Sequence, residues 1–353
     1  MKIKQLLILL LAASLLAVSC SKDDDDEINL PSGDFANGIL VSNEGPFNNG
    51  SGTVTFISEN LGSQEDAIYK KVNGEDLGNV VQSIGFNEDH AYIISNVSRT
   101  VTVVDRYTFE KITDISDGFE NPRYFVAVNG KGYVTDWGDP NNDSDDYVAV
   151  IDLATNAVQS TISVNFGPER LLAKGNAIYV AHQGGYGQND IISVINTDSN
   201  TVTATIQVGS VPNSLQLDDA GNLWVLSAGT PSYAGTESGG VLSMIDTSSN
   251  TVTAHLDFET SEHPNLLSVE GSILYYYLNG SVYEIDNSAL TLPGHGILDG
   301  VNFYAMSVSK GKLYGTNAGD FASRGTLAVY DLNSKANIKT MTVGIVPGGV
   351  YFN

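Results

Sequence analysis

The sequence predicts an all-β protein built as a seven-bladed β-propeller, on three observations. The first is composition. Glycine is abundant at 36 residues and tyrosine outnumbers phenylalanine, 17 to 12. Val, Ile, Thr and Tyr fill the ordered stretches, and Gly, Asn and Asp interrupt them, as short strands between turns require. The second is a phrase of alternating apolar residues, closed by Asp, Asn or Ser, that recurs seven times. The third is an inner strand missing from the first copy and present, alone, at the other end of the sequence. A length of 353 residues would by itself suggest two or three domains, but repeats stack into one continuous fold and override that expectation.

The N-terminal segment is read as an address and a tether. Lys2 and Lys4 precede an apolar run from Leu6 to Leu16, which ends in Ala17-Val18-Ser19-Cys20. The run is too short for an ordinary membrane span, so residues 1–19 are read as a signal peptide outside the fold. Cys20 is the one cysteine, which leaves no internal disulfide framework. A cysteine directly after a small residue at the end of such a run resembles the bacterial lipoprotein signal, in which the thiol is acylated and Cys20 becomes the mature N-terminus. The run Asp23 to Glu27 carries only like charges and reads as a solvated linker. It also resembles the acidic export signal of Bacteroidota lipoproteins, which implies an anchor in the outer membrane with the protein facing outward. Residues 20–36 are thus the acylated cysteine and linker, and 37–353 the propeller.

The repeated phrase reads Val54-Thr-Phe-Ile-Ser58, Val101-Thr-Val-Val-Asp105, Val148-Ala-Val-Ile-Asp152, Ile192-Ser-Val-Ile-Asn196, Leu242-Ser-Met-Ile-Asp246, Val282-Tyr-Glu-Ile-Asp286 and Leu327-Ala-Val-Tyr-Asp331. Its period in the forties, with only strand-like segments inside, is that of propeller blades. The fifth copy shows the whole unit: strands over 213–217, 223–227, 241–246 and 251–257. A second signature, Asp/Asn-x-x-x-Asn-x-Val, follows the phrase at Asp152, Asn196 and Asp246. Asp and Asn suit that place because their side chains bond the turn backbone. In the first copy, Ile39 to Ser42 already reads as a second strand. Residues 348–353 read as its missing inner partner, so the two ends build one blade and close the ring without free edges.

Candidate site residues fall on one face of the ring. The loops between second and third strands are long in five blades, at 43–52, 136–146, 183–190, 228–239 and 317–325, and short in blades two and six. Long loops beyond what a hairpin needs carry function. Each of the five holds an aromatic, Phe47, Trp137, Tyr186, Tyr233 or Phe321, suited either to stacking on a bulky ligand or to pinning its own loop. The segments entering the inner strands share that face: Asn121-Pro-Arg123-Tyr124, Gly167-Pro-Glu169-Arg170, Val211-Pro-Asn213-Ser214 and His263-Pro-Asn265-Leu266. Asn96, Arg123, Arg170, Asn213, Asn265 and Asp320 are the polar candidates for a ligand. Capping of inner-strand backbone is their competing role.

Composition and motifs weigh against several classes. With 41 acidic residues to 17 basic ones, the chain would repel phosphate backbones, and no nucleic-acid partner is expected. The five histidines, His90, His182, His255, His263 and His295, show no metal-ligand spacing, and no Gly-x-Ser-x-Gly or His-Glu-x-x-His occurs. No catalytic residue is assigned, and the chain is expected not to be an enzyme. One enzymatic alternative stays open. Glu44, Asn96, Glu169, Asn213 and Asn317 are oxygen donors of the kind calcium takes, as in calcium-dependent propeller lactonases.

Several stretches carry a more specific likeness. Ser42-Asn-Glu-Gly45, Val81-Gln-Ser-Ile84, Asn121-Pro-Arg-Tyr-Phe125, Pro212-Asn-Ser-Leu215, Leu223-Trp-Val-Leu226, Asn317-Ala-Gly-Asp320 and Val343-Gly-Ile-Val-Pro-Gly-Gly349 go beyond a generic propeller repeat. From about Asn37 to Asn353 the chain resembles the Bacteroidota surface-lipoprotein propellers of the YncE-like, DUF5074 type, which include a cobalamin-binding lipoprotein. The resemblance implies capture of cobalamin or another corrinoid as cargo, not as a catalytic cofactor, and delivery to a TonB-dependent outer-membrane transporter. Another bulky ligand such as a siderophore is the alternative within the binding class.

Overall fold

The computed structural model describes residues 32–47 and 49–353, so the signal peptide, Cys20 and most of the linker lie outside the described residues. Seven four-stranded antiparallel sheets are present. Six of them run in chain order from the inner strand outward. The first combines Pro347–Phe352 with Gly38–Asn43, Thr53–Ser58 and Gln64–Glu65. Ring closure is therefore as the sequence predicts: Val41 pairs with Val350 and Leu40 with Tyr351. The repeated phrase is the third strand of every blade.

The packing explains why that phrase is so apolar. Each blade buries both faces against its neighbours, and seven hydrophobic clusters lie one between each adjacent pair. In the second strand of blade two, Ala91 and Ile93 pack toward blade one, whereas Tyr92 and Ile94 pack toward blade three. Alternation along the strand thus chooses between two cores, not between core and solvent.

The turn signature has two jobs. Asp152 Oδ1 accepts from the amides of Ala154 and Thr155, and Asn196 Oδ1 accepts in the same way from Asp198 and Ser199. The later Asn then takes the left-handed conformation at Asn156, Asn200 and Asn250, which Asn tolerates better than most residues. Its amide oxygen faces the preceding blade. There it accepts the hydroxyl of Tyr92, Tyr133 or Tyr179, at 3.2, 2.9 and 2.8 Å respectively. One Asn thereby turns its own chain and clasps the next blade to the last.

Two blades depart from the regular unit. In blades one and six the fourth strand shrinks to Gln64–Glu65 and Leu298–Asp299. A short helix, Ile68–Asn73, covers the outer side of blade one and buries Ile68 and Tyr69. The sequence gives little warning of it: no side chain caps its start, and Ala67 there is left-handed.

Candidate functional site

The inner strands surround a channel, and a cavity of about 280 Å³ lies in it, walled by every blade but the second. Its lining runs from Tyr124 and Glu169-Arg170 through Asn213, Asn265 and Ser307 to Gly349 and Tyr351. Gln183, the first residue of a long loop, also lines it. That places the cavity at the face carrying the long loops.

The mouth is braced by one buried ion pair. Arg123 Nε and Nη2 each donate to Glu169, both at 2.9 Å, and the two side chains are only 14 % and 7 % exposed. Both residues directly follow the proline that starts an inner strand, in neighbouring blades. The Arg123 guanidinium lies 4.0 Å from the centroid of the Trp137 ring. Trp137 in turn donates its indole N–H to the Pro168 carbonyl at 2.9 Å. Arg170 stacks on Tyr124 at 4.1 Å. Across the mouth, Tyr304 donates to Glu44 Oε1 at 2.9 Å. Burial pushes the Glu44 carboxyl up from its ordinary range, against the pull of that hydrogen bond and of the Arg123 charge.

The eleven sequence-predicted residues divide into four groups. Arg170, Asn213 and Asn265 line the cavity, and Arg123 stands behind them in its ion pair. Phe47, Tyr186, Tyr233 and Phe321 are exposed rings on the loops, Tyr233 the most open at 91 %. Trp137 separates from those four. It is buried, its edge meets Tyr186 at 6.1 Å, and its place is behind the wall. Asn96 and Asp320 are occupied locally. Asn96 Nδ2 donates to Asn121 and to the Pro122 carbonyl. Asp320 accepts from the amides of Ala322 and Ser323 within its own loop, which holds its carboxyl below the usual range. Phe321 stays connected to the mouth through its edge contact with Tyr304 at 5.4 Å.

Of the five oxygen donors considered for calcium, four are likewise engaged, Glu44 by the Tyr304 hydroxyl, Glu169 by Arg123, Asn213 Oδ1 by the Ser214 hydroxyl and Asn317 by the Gly319 amide, and Asn96 is held by its Nδ2 against Asn121. Among the described residues, no group of three or more His, Cys, Asp or Glu side chains is gathered to hold a metal ion. Glu44, Tyr304 and Glu169, the partner of Arg123, are the mouth residues that sequence reasoning left out of the ligand set. The available signal was charge complementarity between Asn-Pro-Arg and Gly-Pro-Glu at equivalent places in adjacent blades.

Two buried titratable groups sit in the loops and strands behind this rim. His182 bonds Ser193 Oγ through Nε2 at 2.9 Å and is pushed down to about 4 by burial. Asp146 is buried, and neither carboxylate oxygen has a hydrogen-bond partner. Burial and the charges of Asp145, Asp136 and Asp143 push it up to about 7, with the Gly167 amide pulling the other way. The signs are opposite. The raised Asp146 value favours the fold at low pH and loses that benefit as pH rises from about 3.8 through about 7. The lowered His182 value favours the fold above about 6.5 and loses that benefit as pH falls toward about 4. Asp146→Asn is therefore expected to raise stability at pH 8 by about 2 kcal/mol, with the gain shrinking toward pH 4.5. Denaturant midpoints at the two pH values check it. A loss at pH 8 would mean that the carboxylate has a partner it needs.

These features define a class: a seven-bladed propeller with a blocked-in polar channel and a high, aromatic-tipped mouth. The chain belongs to the DUF5074 family, a domain of unknown function, which it matches over residues 37–343. No curated protein matches it. Among solved structures it is similar to a functionally unknown protein from Desulfotomaculum acetoxidans, at 13 % identity and TM-score 0.65, covering 90 % of this chain and 99 % of that one. It is also similar to a quinonprotein alcohol dehydrogenase-like protein from Bacteroides thetaiotaomicron, at 14 % identity and TM-score 0.64, covering 90 % and 78 %. The dihydro-heme d1 dehydrogenase NirN is a third, at 13 % identity and TM-score 0.58, covering 91 % and 76 %. At these identities the likeness is one of fold.

Proposed function

We propose that this chain is a surface lipoprotein that captures a corrinoid, cobalamin in the first place, and hands it to a TonB-dependent outer-membrane transporter. The observation that carries the binding role is the mouth: exposed rings on separate loops stand around a polar channel whose walls are locked by a buried ion pair. A corrin is broad, with an apolar ring edge fringed by amides. It needs aromatic surface and many hydrogen-bonding groups together, and the mouth offers both. The cavity, about 280 Å³, is too small for a whole corrinoid, so the macrocycle rests on the rim and only a side arm enters. The lipid anchor at Cys20 and the acidic linker put such a mouth where cargo arrives from outside.

The reading is one of binding, not catalysis. A binder needs shape and surface, whereas an enzyme needs convergent titratable groups or an activated water. The test is calorimetry of the purified chain with cobalamin, cobinamide and haem. Tyr186→Ala combined with Phe321→Ala is expected to weaken corrinoid binding roughly ten- to a thousandfold, at about 1–2 kcal/mol per ring. Absence of heat with both corrinoids removes the corrinoid but leaves a ligand-binding propeller, for which a siderophore is the next cargo to titrate.

A further inference from the structure

Two residues lining the channel cavity carry full charge, Glu169 and Arg170. Their circumstances differ. Both oxygens of Glu169 are taken by Arg123. The Arg170 guanidinium lies over the Tyr124 ring, 4.1 Å from its centroid, and, among the described residues, makes no hydrogen bond and no ion pair. Asn265 shares the lining from another blade, but its Oδ1 is enclosed by protein. A guanidinium presents five N–H donors in a planar fork that matches the oxygens of a carboxylate or phosphate. Contact with the Tyr124 ring restrains the guanidinium before any ligand arrives, which lowers the ordering cost of binding.

The one unpaired charge in the cavity lining is thus opposite in sign to the chain's net charge of −24. At physiological salt the distant carboxylates are screened beyond about 8 Å, and the contact charge decides what enters. We infer that the channel cavity is an anion subsite, in which Arg170 takes a carboxylate or phosphate group of the ligand. The inference rests on the mouth being a ligand-binding site and not on the identity of the cargo. It names the chemistry of the arm that enters the channel: negatively charged, and small enough for the cavity.

The test uses small probes that share a ring and differ in charge: phenylphosphonate, benzoate and neutral benzamide. Each is titrated into the purified chain at fixed ionic strength by calorimetry. Phenylphosphonate or benzoate is expected to bind at least tenfold more tightly than benzamide, and the better of the two identifies the group as phosphate-like or carboxylate-like. Arg170→Gln is expected to erase the preference, with Arg170→Lys keeping part of it. Should Arg170→Gln melt early, the Arg170 Nε–H resonance of the wild-type chain reads the same contact by NMR, and phenylphosphonate or benzoate should shift it where benzamide does not. Equal binding of the three probes, or a preference that survives Arg170→Gln, overturns the subsite. Cobalamin carries a phosphodiester in its nucleotide loop, and cobinamide lacks that loop. Anion binding that depends on Arg170 in a chain that ignores both corrinoids would therefore remove the cargo proposed above and leave the subsite in place.

Discussion

A chain lacking residues 347–353 is expected not to fold to a cooperative native state. Those seven residues are the inner strand of blade one and its last contacts. Val350 is buried against Val41 and Ile39 of its own blade and Tyr314 of the seventh. Phe352 meets the Tyr314 ring edge at 5.1 Å, and Tyr351 meets Phe86 of blade two at 6.1 Å. Thr316 of blade seven donates to the Pro347 carbonyl at 2.7 Å. Asn353 exchanges backbone hydrogen bonds with Gly38, and its side chain bonds Arg106 and Phe35. Losing three large apolar side chains at roughly 1.5–3 kcal/mol each, and a ladder of hydrogen bonds at about 1 kcal/mol each, comes to about 10 kcal/mol. That matches the whole stability of an ordinary domain, about 5–15 kcal/mol. It also opens the ring and leaves the edge of Gly38–Asn43 unpaired, an invitation to aggregation. Removing Asn353 alone should cost only about 4 kcal/mol, which makes it the control. Thermal melting of the two truncations checks the expectation. A seven-residue truncation melting within a few degrees of the full chain would show that the ring does not depend on its closing strand.

The parts of this fold that were legible are those in which a local pattern and the tertiary structure ask for the same residue. The third strands announced themselves because both faces are buried, which leaves an apolar phrase closed by a turn-capping Asp or Asn. Closure was legible because an inner strand without a partner at one end matched a gap at the other. The Tyr-to-Asn clasps were present in the sequence as well, at Tyr92, Tyr133 and Tyr179, but each joins residues 64 to 71 apart. No pattern within a single repeat reveals such a pair. The helix Ile68–Asn73 is short and has no side-chain cap at its start, so tertiary burial of Ile68 and Tyr69 makes it, not propensity. At the mouth, the sequence identified which loops carry rings but not which way each ring faces. Trp137 and Tyr186 look alike as loop aromatics. What separates them is the Pro168 carbonyl and the Arg123 guanidinium, which draw Trp137 inward from a different blade and a different strand.

Glu169→Ala is expected to destabilise the protein by about 3–5 kcal/mol, because it strands the buried guanidinium of Arg123 without a counter-charge. The surroundings offer no substitute. Glu44, the other carboxylate near Arg123, is held by Tyr304, and burial already raises its carboxyl. The Trp137 face supports the cation from one side only, and a cation–π contact of about 2 kcal/mol does not replace the lost counter-charge. Arg123→Met should cost less than Glu169→Ala, because Glu169 can take a proton where arginine cannot lose one. The double variant Arg123→Met with Glu169→Leu should be more stable than Glu169→Ala alone, since replacing both partners removes the unpaired charge. The same three variants separate stability from function. In the double variant the wall between blades three and four is apolar, and Arg170 is left as the one charged residue lining the cavity. A ligand with an anionic arm should then bind at least as well as before, provided the fold holds. Denaturant midpoints for the wild-type chain, Arg123→Met, Glu169→Leu and the double variant give the coupling energy, as the failure of the single effects to add. Additive single effects would mean that the bidentate contact, at 2.9 Å through both nitrogens, contributes nothing beyond its two separate side chains, and the mouth would then need another brace.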